Sequence, residues 1–436
     1  MNTDGHNSCT VARTASALVG LALAAGLLVG CGAADEAETF GPADAGDAAS
    51  QPAQTEGEAA APGADTTEPQ LSITVYAGNG AGIFEGDGGP AVEASVLQPV
   101  GLAIDSAGNL YISTENRVRV VAAATGVITT VAGTGRPGRS GDGGPAAEAQ
   151  VKAPHGLAVD VDGNLFIADS DNGQIRRVDA VTGIITTAAG GGIPKRIGGV
   201  LDPGDGGQAT DAWFKVPRDI AAGTDGSFYF TADNRVRKVD PSGVISTLAG
   251  RGLNDLSGDG GPSVSAGVAN PRGIAVDGNS NVFFADTDNQ RIRRIDAATG
   301  IITTVAGVGK HAPPNTSDTT YHPKPEGQGF SGDGGPATSA MLSAPEGVAI
   351  GPDGNLYIAD TGNNRVRKVD LVTGVITTFA DGGLVQGERM ETAHVESGDL
   401  KVTFINFSPP VSIVASGEGV FYVADPKQNK VVRLVP

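Results

Sequence analysis

Residues 332–379 read GDGGPATSAMLSAPEGVAIGPDGNLYIADTGNNRVRKVDLVTGVITTF. The stretch opens with a Gly-rich loop and continues as four short β-branched, apolar runs at 347–350, 356–359, 365–369 and 375–379. The separators GPDG, DTGNN and DLVTG carry turn chemistry, so the pattern predicts an antiparallel meander of four strands. One such sheet cannot bury both of its faces. Stacked copies can.

The copies are present. A proline, then a variable residue, then glycine or a substitute followed by an apolar pair, recurs at Pro99, Pro154, Pro217, Pro271, Pro345 and Pro410, at spacings of 55, 63, 54, 74 and 65. Five of these prolines follow an Ala-x-(Val/Leu/Phe) element, and GDGG occurs in each of the five loops that start at Gly86, Gly141, Gly204, Gly258 and Gly332. A constant core with connections of variable length is the signature of a repeat architecture.

The segment GNLYIADTGNNRVRKVD at 354–370 resembles the NHL repeat, and the ITTVAG-loop-SGDGGPA context is similar to the NHL propellers of bacterial secreted proteins and of the teneurins. The resemblance runs from about residue 71 to residue 436. It implies an all-β, six-bladed β-propeller of four-stranded antiparallel blades. It assigns no chemistry, because this fold carries lyases, lactonases and pure binding modules.

Residues 71–78, LSITVYAG, match the fourth run of a blade but precede the first Gly-rich loop, whereas the last copy, at 410–436, supplies only three runs. The N-terminal strand is therefore expected to complete the last blade and close the ring, which removes its free edges.

Ahead of the repeats the chain divides in two. Residues 15–30 are almost wholly small or apolar, follow Arg13 and end Leu28-Val29-Gly30-Cys31. This resembles a lipoprotein signal peptide spanning 1–31, in which Cys31 becomes the lipidated first residue. Residues 32–70 contain nine Asp or Glu and no Lys or Arg, a composition unable to offset its chain entropy by burial, and they read as an acidic Ala/Pro/Gly tether. Cys9 falls within the removed segment, so the mature chain keeps Cys31 alone and no disulfide is expected. The expected location is extracytoplasmic, lipid-anchored to a bacterial membrane facing the periplasm or the cell surface.

The propeller, residues 71–436, carries 29 Lys and Arg against 39 Asp and Glu, a net charge near −10. That balance disfavours nucleic acid and leaves the lipid anchor as the expected route to a membrane. The chain is expected to be a monomer and to need no cofactor.

In a meander, successive connections alternate between faces. The long inter-blade loops, 190–201 and 308–330, share a face with the links between second and third strands, and that face is the candidate for binding. The residue after each inner-strand proline is expected at the channel mouth on this face: Val100, His155, Arg218, Arg272, Glu346 and Val411. Two Arg, one His and one Glu in a ring suit an anionic or carboxylated ligand, or else a rim of internal ion pairs. Asp169, Asp286, Asp360 and Asp425 end second runs on the same face. They read either as a partial carboxylate ring or as turn carboxylates that face a following Arg, as Arg365 follows Asp360. Thr114 and Ala232 interrupt that ring.

The GDGG loops lack the Lys-Ser/Thr of a P-loop and the spaced acids of an EF-hand, so glycines at positive φ, with Asp bonded to the loop backbone, account for them. His155 is the single histidine on a predicted inner strand, while His311, His322 and His394 fall in connections, a distribution that argues against a three-histidine zinc site. The function expected is a protein- or polymer-binding module whose partner is an envelope protein or polysaccharide. The alternative is a hydrolase or lyase acting at the channel mouth.

Overall fold

The computed structural model describes residues 71–436 except 198–199, 202, 310–328 and 383–408. The signal segment with Cys31, the tether, and the loop residues His311, His322 and His394 lie outside the described residues. Among the described residues no helix is long and apolar enough to cross a membrane.

Six four-stranded antiparallel sheets follow one another around the chain. Blade five shows the pattern, with strands Gly347–Ile350, Leu356–Asp360, Arg365–Val369 and Ile376–Asp381. Blades one to four begin with the inner strands Leu102–Ile104, Pro154–Val159, Ile220–Ala222 and Pro271–Val276. Blade six takes Ser412–Ala415, Phe421–Asp425 and Lys430–Val435 from the C-terminus and Ser72–Ala77 from the N-terminal side. The register runs from Ser72 opposite Val435 to Ala77 opposite Val431, which is the expected closure of the ring.

The apolar faces meet at the seams. Six hydrophobic clusters each draw their side chains from two neighbouring blades, so every blade is buried on both faces and the core is a ring rather than a centre. Phe166 of blade two packs on Phe228 of blade three at 4.9 Å between ring centroids, and Tyr357 of blade five on Phe421 of blade six at 4.1 Å. Each fully buried aromatic contributes about 1.5–3 kcal/mol.

Hydroxyl groups tie five of the six seams near the channel. Ser113 and Thr231 donate to the carbonyls of His155 and Arg272 in the next blade, both at 2.7 Å. Ser170, Thr287 and Thr361 donate to the carbonyls of Pro217, Pro345 and Pro410 at 2.5, 2.7 and 2.6 Å.

The third strands hold an unexpected feature. Arg119, Arg176, Arg293 and Arg367 are completely buried, and Arg237 is nearly so. Each meets the Asp of the preceding GDGG loop, as in Arg119 with Asp87 at 2.5 Å and Arg367 with Asp333 at 2.6 Å. In blades one, two, four and five the other oxygen of that Asp accepts from an outer-strand threonine, Thr130 Oγ1 to Asp87 and Thr378 Oγ1 to Asp333 both at 2.6 Å, whereas Thr247 Oγ1 of blade three makes no such bond. In those four blades the loop carboxylate therefore clamps two strands, which corrects the expectation that it would bond only within its own loop. The loop glycines do adopt positive φ, and a Cβ on Gly332 (φ 91°) would lie 2.7 Å from Ala340 Cα. A bulge between the third and outer strands accompanies each buried Arg, as between Val366 and Arg367. Blade six places Val432 at the equivalent position.

Candidate functional site at the channel mouth

The repeated Pro-x-Gly-apolar tetrad builds the channel in three layers. The apolar residues of the six tetrads, Leu102, Leu157, Ile220, Ile274, Val348 and Ile413, are all buried and floor it. Above them the glycines let the inner strands approach closely. A Cβ on Gly101 would lie 1.9 Å from the His155 carbonyl, and one on Gly273 would lie 2.4 Å from the Glu346 carbonyl. Direct backbone bonds cross the same gap, Gly156 N–H to the Arg218 carbonyl at 2.9 Å and Gly273 N–H to the Glu346 carbonyl at 2.6 Å.

The uppermost layer is the expected ring. Val100, His155, Arg218, Arg272, Glu346 and Val411 all line one recess of roughly 370 Å³. Arg272 Nη1 meets Glu346 at 2.7 Å, so part of the ring is an internal ion pair. Among the described residues the half-buried Arg218 guanidinium has no side-chain partner, and Arg272 Nε is buried without an acceptor. Burial and the neighbouring Arg272 both lower the Arg218 pKa, against the pull of Glu346 and Asp171. Burial, then Arg218 and Arg272, hold His155 down at about 4, so its ring is neutral at neutral pH. Burial pushes Glu346 up while Arg272 draws it back.

The four carboxylates at the ends of second strands do not join this ring. Asp169, Asp286, Asp360 and Asp425 are fully buried. Asp360 accepts from Ser343 N–H at 2.7 Å, Asn363 Nδ2 at 2.8 Å and Arg367 at 3.4 Å, and Asp286 accepts from Ala269 N–H, Asn289 and Arg293 in the same way. Asp169 repeats the set with Lys152 N–H, Asn172 and Arg176. The arginine concerned is the third residue of the following strand rather than the first. Arg365 turns instead to Asp381 at 2.9 Å. Asp425, in the blade without a buried Arg, accepts from Gln428 N–H at 3.0 Å. Among the described residues no group of three or more His, Cys, Asp or Glu is placed to hold a metal ion.

The sequence profile of the teneurin NHL domain matches residues 134–193, 201–257, 252–322 and 313–370. The chain belongs to the teneurin NHL domain family. It is 30% identical to teneurin-1 of Mus musculus over 301 residues, covering 64% of this chain and 11% of that protein. It is also 30% identical to teneurin-1 of Homo sapiens over 355 residues, covering 73% of this chain and 13% of the relative. The NHL domain here thus spans about a tenth of the length of those relatives. Among solved structures, an auxiliary nutrient binding protein from Bacteroides ovatus shares the fold at 14% identity and a TM-score of 0.54, over 84% of this chain and 76% of that one.

Sequence reasoning missed one channel residue of this NHL propeller. Asp219 stands where four blades carry glycine and blade six carries Ser412. The residue keeps some surface toward the recess, but its carboxyl group reaches across to blade four, where Oδ2 accepts from Ile274 N–H at 2.9 Å. A Cβ on Gly156 would lie 2.2 Å from its Oδ1. Burial of that carboxyl raises its pKa to about 7, against the two backbone donors. A charged residue in the glycine register, found in this tetrad and in no other, was the available signal.

Proposed function

We propose that this protein is an extracytoplasmic binding module, tethered through lipidated Cys31 and residues 32–70, that captures an envelope protein or polysaccharide on its long-loop face. An anionic group of the partner, a carboxylate in particular, seats on Arg218 at the channel mouth. The carrying observation is the Arg218 guanidinium, half-buried beside Arg272 and in no side-chain hydrogen bond or ion pair among the described residues, while Glu346 is bonded to Arg272 and acts on Arg218, with Asp171, only from a distance. A carboxylate there gains charge-assisted, two-pronged hydrogen bonds from a planar donor and relieves the repulsion between two guanidinium groups. The mouth is locally positive although the propeller as a whole is acidic, so the preference for an anion is set by this ring and not by bulk charge. Neutral His155 adds a donor or acceptor on the same ring. The Bacteroides auxiliary nutrient binding protein supplies a precedent for a binding role on this architecture.

The test uses galacturonate, a carboxylated sugar, titrated calorimetrically into the wild-type protein and Arg218→Ala. Saturable binding weakened at least about tenfold in the variant, or about 1.4 kcal/mol, is expected at an unchanged melting temperature. Equal binding by the two proteins, or none by either, overturns the reading of the mouth. For the anchor, Cys31→Ser should leave the membrane fraction. Unchanged partitioning removes the anchor from the proposal.

A further inference from the structure

The third Gly-rich element departs from its four counterparts at two positions that meet in space. Its sequence is GDGGQATDAWF, against GDGGPAVEASV, GDGGPAAEAQV, GDGGPSVSAGV and GDGGPATSAML. Gln208 replaces proline, and Trp213, the single tryptophan of the chain, stands where the others have Ser95, Gln150, Gly267 and Met341. Both line an open recess of roughly 570 Å³, with Ile193, Lys195, Asp205 and Asp211 around them. The recess lies at the outer edge of blade three, where Gly206 N–H bonds to the Ile245 carbonyl at 2.8 Å on the outermost strand.

In other copies the preceding loop closes over this position. Ser140 Oγ donates to Gln150 at 2.9 Å, and Gly267 N–H donates to Ser257 Oγ at 3.0 Å. Ser95 donates to the Ala81 carbonyl at 2.7 Å. The start of the loop is held in the third copy as in others, Gly192 N–H bonding to the Ala212 carbonyl at 3.1 Å as Asn79 and Thr134 N–H bond to the Ala94 and Ala149 carbonyls at 2.9 Å, and a Cβ on Gly192 would lie 2.1 Å from the Asp211 carbonyl oxygen. The loop is thus pinned at its start, and Ile193 projects with 79% of its surface exposed.

The recess has a chemical character of its own. Trp213 and Ile193 provide apolar walls, while Lys195, Gln208 and Asp211 provide donors and acceptors. Asp205 is already paired with the buried Arg237 at 2.9 Å, which leaves Lys195 and Asp211 to balance each other. A site with no net charge, an indole wall and mixed hydrogen-bonding groups is matched by a ring that is apolar on its faces and hydroxylated at its edge. An anion or a cation would each meet an opposing charge.

We propose that the recess at Trp213 and Gln208 on blade three is a binding site for a neutral sugar ring, separate from the anionic site at the channel mouth. The ring lies against the indole, and its hydroxyl groups bond to Gln208, Asp211 and Lys195.

Trp213, as the sole tryptophan, reports directly on its own site. The full chain is titrated with cellobiose, maltose, mannobiose and chitobiose while indole fluorescence is followed. At least one should give a saturable change. Gln208→Pro restores the residue of the other four copies, and Gln208 already has the proline-compatible φ of −64°, so this variant keeps the fold and the reporter. It should weaken binding at least tenfold, whereas Arg218→Ala should leave it unchanged. Calorimetry on Trp213→Ala should show binding lost. The assignment is overturned by the absence of a saturable response to all four sugars, by a response to choline in their place, or by a sugar response that Gln208→Pro does not weaken.

Discussion

Asp219 and His155 titrate in opposite senses within a few ångströms of the same channel. Asp219 titrates at about 7 in the folded protein, against about 3.9 unfolded. The folded state holds the extra proton between those values, so this stabilisation is complete below about pH 4 and is lost as pH rises toward 7. His155 titrates at about 4 when folded, against about 6.5 unfolded. The unfolded state takes up the proton first, so this contribution is present above about pH 6.5 and is lost as pH falls toward 4. The two slopes oppose each other across one window. Asp219→Asn, whose side-chain oxygen still accepts from Ile274 N–H, should therefore make stability climb more steeply with pH over this range than in the wild type. His155→Gln should tilt it the other way. Urea melts of the three proteins at several pH values check both directions, and parallel profiles would remove the two groups from the pH response.

At the scale of the strand, the motif RVRKV in blade five shows how far the sequence could be read. Two arginines two residues apart on a regular strand share a face, and the expectation paired the first, Arg365, with Asp360. The structure gives that role to Arg367, with Asp360 at 3.4 Å and Asp333 at 2.6 Å, and leaves Arg365 partly exposed at Asp381. The bulge opposite Val366 and Arg367 separates their environments, and nothing in a strict two-residue alternation announces a bulge. A subtler signal was present: the five blades with GDGG carry this Arg, while blade six, with Val432, lacks such a loop in its sequence. Arg367→Ala leaves the buried Asp360 without its cation, and the partly exposed Asp333 without its partner, and should cost about 3–5 kcal/mol. Arg365→Ala, at a partly solvated pair, should cost under about 1 kcal/mol. Denaturant midpoints of the two variants decide it, and similar losses would mean that the buried clamp contributes no more than a surface pair.

For the whole molecule, six copies of a meander and a displaced fourth strand were enough to read the propeller and its closure, because periodic apolar runs record burial directly. The charges at the mouth could be placed on one ring from the tetrads. Their pairing could not, since the choice of Glu346 by Arg272 depends on side-chain reach between blades. Deleting residues 1–70 should leave the melting temperature nearly unchanged. Deleting eight more, 71–78, removes the partner of Lys430–Val435 and bares a sheet edge, so a loss of several kcal/mol or aggregation is expected. Identical melting of the two truncations would exclude the strand from the ring. The same closure also imposes an order of events in time. Asn429 Nδ2 reaches the Gly80 carbonyl across 349 residues of chain, and at about 5–20 residues per second of synthesis the first strand waits about 20–70 seconds for its partner. The ring can lock only once Lys430–Val435 has been made, so a product that stops before this strand keeps an open seam accessible to proteases.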